Sequence, residues 1–87
     1  MSKPTLYVKQ GCPWCVDALA YFKDKSLDLE VIDVRAAPHR MAELVDASGQ
    51  NMTPTLIHDD FVVADFDLDE LESALEQNPA AKDALGL

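Results

Sequence analysis

Two cysteines stand where a strand-like run gives way to a helix-like one, and no other feature of the sequence restricts the fold as tightly. Thr5-Leu6-Tyr7-Val8 is short, apolar and β-rich and ends at the breaker Gly11, so it reads as a buried strand. From Pro13 the apolar residues Cys15/Val16, Leu19 and Phe22 recur at helical spacing, which predicts a helix with that face turned inward. Cys12-Pro13-Trp14-Cys15 therefore lies in a strand-to-helix junction. At the first turn of a helix, unpaired N–H groups and the positive end of the dipole stabilise an anion. Cys12 sits there, and in such settings a cysteine pKa falls from about 8.5 to roughly 3.5–7.5. Cys15, one turn further on with apolar neighbours, should be less exposed and less acidic. Pro13 occupies the first helical position, where its fixed φ costs no helix hydrogen bond and holds the turn rigid. A rigid turn keeps the sulfurs within reach of a disulfide. Trp14, beside the attacking sulfur, is expected to be either a partly exposed platform flanking the substrate or a shield over the thiols, because Cys15 and Val16 take the inward face.

The rest of the chain supplies a frame for this junction. Residues 29–34 form a second strand, and Pro38 opens a second helix with the stripe Met41, Leu44 and Val45, ending near Gly49. That makes a βαβα unit with a parallel strand pair. After the loop Gln50-Asn51-Met52-Thr53-Pro54, residues 55–58 and 61–64 flank Asp59-Asp60 as a hairpin. Asp67-Leu68-Asp69-Glu70 has the form of a capping box, followed by the stripe Leu68, Leu71, Leu75, and Asn78-Pro79 caps and opens a short last helix that stops at Gly86. The expected order is βαβαββα plus a short helical tail. At 87 residues this is one domain, 1–87, of the α/β class, which should fold without metal.

The net charge is −9, and residues 59–76 hold eight carboxylates with no Lys or Arg. Such a surface repels phosphate backbones, so no nucleic-acid partner is expected. The acidic run reads as a solvated surface, or more sharply as a docking face for a basic redox partner. No secretory pattern or membrane-length apolar run is evident, so the expected location is cytoplasmic, without a membrane. In that compartment a close cysteine pair is more often catalytic or metal-binding than a staple. A zinc site would need His39 and His58, and neither stands in a ligand-like cluster, so the expected metal content is none and redox chemistry is favoured.

Tyr7-Val8-Lys9-Gln10-Gly11-Cys12-Pro13-Trp14-Cys15, then Gly49-Gln50 leading to Thr53-Pro54, then the strand pair and the helix start at Asp67, closely resemble a dithiol glutaredoxin of the thioredoxin superfamily. The resemblance covers nearly the whole chain. It implies a thioredoxin-like fold, a four-stranded mixed sheet flanked by helices, with Cys12 as nucleophile. It also implies a cis proline at Pro54 facing the site, with the backbone of Thr53 pairing with substrate as a short β-bridge. Lys9 matches the lysine that contacts the glycine carboxylate of glutathione, and Asp67 matches the aspartate that holds the γ-glutamyl end. Arg40, on the second helix, and Arg35, after the second strand, are candidates for a further cation, and Arg40 is assigned that role.

The chain departs from the family at two places. Thr53 stands where a valine is usual before the proline, and Ala64-Asp65 stands where a Gly-Gly pair is usual after the last strand. Glycines there let a ligand backbone approach closely, and carboxylates at Asp65, Asp67 and Asp69 repel an anionic tripeptide.

The activity the resemblance implies is thiol–disulfide oxidoreduction. Cys12 attacks a protein disulfide or a glutathione mixed disulfide, and Cys15 or a second glutathione releases the product. Glutathione is the expected co-substrate, disulfide-containing or glutathionylated proteins are the partners, no organic cofactor is bound, and the chain acts as a monomer. One rival is a carrier reduced by a flavoprotein reductase and serving a specific protein. Another is an iron–sulfur carrier using Cys12 and glutathione, against which Pro13 counts.

Overall fold

A computed structural model of the chain describes residues 3–87. Its frame is a four-stranded sheet with strand order β2-β1-β3-β4. β1 (Thr5–Val8) lies parallel to β2 (Glu30–Asp33) and antiparallel to β3 (Thr55–His58), and β4 (Phe61–Ala64) closes the sheet antiparallel to β3. The resulting thioredoxin-like fold follows from the period-two alternation of the strands. Leu6, Val8 and Leu56 face one side and pack with Cys15, Ala18, Phe22, Phe66, Leu71 and Leu75. Tyr7 and Ile57 face the other, with Ile32, Val34 and Leu44. Helices α1 (Pro13–Asp24) and α3 (Leu68–Gln77) cover the first face, and α2 (Met41–Ser48) covers the second. A last helix, α4 (Pro79–Leu85), packs onto the first face through Leu85.

Three expectations are corrected. The buried face of α1 is Cys15, Ala18 and Phe22, while Leu19 is half-buried and Val16 is 63% exposed. The helix is rotated so that the small Ala18, fully buried, brings it close to the sheet, and Val16 falls on the solvent flank. The second helical segment opens as one 3₁₀ turn (Pro38–Arg40) before α2, and Val45 in the expected stripe is 42% exposed, leaving Leu44 as its anchor. Asn78 does not cap α4 with its side chain; its Nδ2 donates back to Ala74 O at 2.9 Å, so it serves the end of α3.

Loop chemistry sets the ends of the elements. Gly49 ends α2 at φ 73°, and Gly11 turns the chain between β1 and α1 at φ 85°, a conformation that favours glycine. Asp67 and Glu70 form the expected capping box, with Glu70 N–H donating to Asp67 Oδ1 at 2.8 Å and Asp67 N–H donating to Glu70 Oε1 at 3.3 Å. No helix among the described residues is long and apolar enough to cross a membrane.

Candidate active site

The site is built where β1 ends. The N–H of Cys12 donates to Lys9 O at 3.2 Å, closing the turn that carries Gly11, and Cys12 then becomes the N-cap of α1 with Pro13 directly after it. Its sulfur does what a capping oxygen would do, accepting the N–H of Cys15 at 3.2 Å. The backbone that starts the helix is thus also the group that solvates the thiolate. Both cysteines are reduced; Cys12 is half-buried, whereas Cys15 is 2% exposed in the core between α1 and the sheet.

Their acidities diverge for reasons the geometry makes explicit. Burial works against the Cys12 thiolate, but hydrogen bonds from the Cys15 thiol and N–H, the Thr53 hydroxyl and the Trp14 N–H outweigh it and hold the Cys12 thiol below its ordinary value. Burial dominates at Cys15 and, with the neighbouring Cys12 sulfur, pushes its thiol up. Two cysteines three residues apart are therefore made different, one thiol more acidic than an ordinary cysteine and the other less.

Across from them, the segment before β3 brings in Thr53 and Pro54, joined by a cis peptide bond. Thr53 is buried, with its hydroxyl and its carbonyl oxygen each 3.8 Å from the Cys12 sulfur. The Thr53 N–H has no hydrogen-bond partner among the described residues. Gln50 holds this segment in place: its Nε2 donates to Ser48 Oγ at 2.7 Å and to Thr55 Oγ1 at 3.2 Å, and its Oε1 accepts the Met52 N–H at 2.6 Å. Thr55, fully buried, donates to Met52 O at 2.8 Å, and the Phe66 N–H donates to Pro54 O at 3.3 Å. Sequence reasoning missed Gln50 and Thr55 as the residues that position the loop. The available signal was a polar pair, five residues apart, bracketing a proline loop between a helix stop and an apolar strand.

The remaining candidates divide. Pro13 and Trp14 begin α1 beside Cys12, and Trp14 is 56% exposed. Lys9 is half-buried at the end of β1 and makes no ion pair with another described residue. Asp67 lies at the start of α3, next to a groove that also touches Trp14. Arg40 is not brought to the thiols. It pairs with Glu43 and with Glu30, the first residue of β2, so its guanidinium turns toward the start of that strand. Arg35 comes nearer, its Nη1 donating to Gln10 O at 3.1 Å in the loop before Cys12. Asp65 takes up φ 51° directly after β4, the left-handed conformation that glycine adopts freely. Among the described residues no group of three or more His, Cys, Asp or Glu side chains could hold a metal ion.

Comparison with known proteins gives a consistent answer. The sequence model of the family described as Glutaredoxin matches residues 5–63. An uncharacterized glutaredoxin-like 8.6 kDa protein in the rubredoxin operon of Clostridium pasteurianum is 25% identical over 72 residues, covering 83% of this chain and 96% of that one. The solution structure of glutaredoxin from Brucella melitensis is similar with a TM-score of 0.67 and 29% identity, over 98% of this chain and 89% of the other. The crystal structure of a glutaredoxin from Archaeoglobus fulgidus gives a TM-score of 0.72 at 21% identity, over 86% of this chain and 87% of that chain.

Proposed function

Because the chain belongs to the glutaredoxin family, with both cysteines and the Thr53–Pro54 turn inside the matched segment, we propose that it reduces protein disulfides and glutathione mixed disulfides through Cys12 and Cys15, drawing its electrons from glutathione. The observation that carries the reading is the contrast between a Cys12 sulfur that caps α1 and accepts the Cys15 N–H at 3.2 Å and a Cys15 buried behind it.

In the first step the Cys12 thiolate attacks one sulfur of the substrate disulfide. The S–S bond breaks, the departing thiolate takes a proton from solvent, and a mixed disulfide forms at Cys12. The Thr53 N–H and carbonyl offer the backbone edge along which an extended substrate can lie. In the second step Cys15 loses its proton and attacks Cys12. This releases the second substrate thiol and leaves a Cys12–Cys15 disulfide, the two electrons having passed from the dithiol to the substrate. Two glutathione thiols restore the dithiol and leave as glutathione disulfide. On a glutathione mixed disulfide, a second glutathione can instead release the one held by Cys12. Lys9 and Asp67 are the residues that would hold the two ends of the tripeptide.

Replacing Cys12 with Ser should abolish reduction of every disulfide. Cys15→Ser should keep part of the activity on a small glutathione mixed disulfide and lose activity on an intramolecular protein disulfide. An active Cys12→Ser variant would reverse the assignment.

A second reading has a specific observation behind it: Asp65 places a side chain and a carboxylate where the family usually has glycine. That hinders an anionic tripeptide and favours reduction by a flavoprotein reductase. Turnover supported by glutathione and its reductase alone selects the first reading. Turnover only with a thioredoxin-reductase-type flavoprotein selects the second.

A further inference from the structure

Beside the thiols runs an open groove of about 390 Å³, lined by Trp14, Met52, Asp65, Phe66, Asp67 and Glu70. Its apolar walls are exposed, Trp14 at 56% and Met52 at 49%. Trp14 is two residues from Cys12, and Met52 precedes Thr53, whose carbonyl oxygen is 3.8 Å from the Cys12 sulfur. No lining residue is basic, and three are carboxylates. Asp67 and Glu70 each use one carboxylate oxygen in the capping box and are exposed, and Asp65 is exposed with no partner among the described residues. An apolar wall ending in carboxylates matches the anatomy of a long basic side chain, whose methylenes pack on apolar surface while the charged head stays polar. The face of an indole also attracts a cation.

Resting on the dithiol reading above, we propose that this groove selects polypeptide disulfides with a lysine or arginine next to the target cysteine, its stem along Trp14 and Met52 and its charge at Asp65 and Glu70. Charge complementarity at such a rim acts mainly on encounter and on substrate discrimination. The partner is therefore a protein with a basic segment around its reactive disulfide, and an acidic segment there is repelled.

The test uses three synthetic peptides, each with one internal disulfide, identical except for Lys, Gln or Glu beside the same cysteine. The full chain is reduced beforehand and mixed with each peptide in a single turnover, so that the source of electrons does not enter. Each rate is divided by that of the same peptide with an uncharged dithiol. At low ionic strength the Lys peptide should react roughly tenfold faster than the Glu peptide, the order expected from reversing one charge a few ångströms from two or three carboxylates in a wet groove. The ratio should fall toward one in high salt. It should also fall in the double variant Asp65→Asn/Glu70→Gln, which keeps an amide able to serve the capping box and a residue type that tolerates left-handed backbone. Equal rates for the three peptides would overturn the inference and leave the dithiol reading standing, as would a faster Glu peptide or a ratio unchanged in the double variant. No reduction of any peptide, with Cys12 still open to alkylation, would overturn the dithiol reading itself.

Discussion

Thr53→Val offers the sharpest test of how the nucleophile is activated, since it removes one hydroxyl next to the Cys12 sulfur and changes almost nothing else. Thr53 is 7% exposed, and its hydroxyl lies 3.8 Å from that sulfur. A well-formed hydrogen bond to a charged group contributes about 1.5–3 kcal/mol. At this length, and with Cys12 open to competing water, roughly a third of that remains, about 0.7 kcal/mol. One pH unit corresponds to about 1.36 kcal/mol, so the Cys12 pKa should rise by about half a unit. The direction is fixed: the lost donor served the thiolate, so the protonated form gains. The pH profile of Cys12 alkylation should move upward by that amount. At lower pH the variant reacts more slowly because less thiolate is present, while its plateau at high pH is equal or slightly higher, since a more basic thiolate is the better nucleophile. Thr53→Ser keeps the hydroxyl and should leave the profile in place. A midpoint that stays put or moves down in Thr53→Val, or an equal shift in Thr53→Ser, would refute the claim that this hydroxyl stabilises the anion.

Alkylation of the reduced protein followed by peptide mapping should find Cys12 modified first, with a midpoint below the ordinary cysteine value of about 8.5, and Cys15 spared until well above it. Asp67→Ala should cost about 1 kcal/mol through the lost cap, lowering the melting temperature by roughly 4–8 °C, whereas Asp67→Asn should leave it nearly unchanged. Asp65→Gly should change stability little, because relief of the left-handed backbone, about 1 kcal/mol, offsets the roughly 0.5–1 kcal/mol entropic cost of glycine. It should raise glutathione-dependent turnover chiefly through a lower KM, and unchanged kinetics would mean that Asp65 does not face the tripeptide.

Several strand and helix ends were legible because a residue with a local reason to stop or start a segment stands there: Gly11, Gly49, the Asp59-Asp60 turn, and the Asp67 box. Which way a helix faces was less legible. Val16 and Val45 fit the apolar periodicity yet lie outside, because the rotation of a helix is decided by what packs closest to the sheet, here Ala18 and Leu44, and spacing alone does not rank a small residue above a larger one. Arg40 was misplaced for a related reason: a cation near a site in the chain goes to the nearest carboxylates in space, and Glu30 and Glu43 come from elements whose approach only the fold decides.

Thr53 and Asp65, two of the positions that depart from the family pattern, lie just before β3 and just after β4, at the end of the sheet where β1 leads into Cys12. Thr53 adds a donor to the Cys12 sulfur, and Asp65 adds a carboxylate to the groove beside it. Both act on charge and leave the sheet and its core alone. A relative with valine and glycine at these places would keep the fold and the dithiol while presenting a less acidic nucleophile and a groove more open to an anionic tripeptide. Thr53 thus bears on the acidity of the Cys12 sulfur, and Asp65 on the charge of the groove beside it.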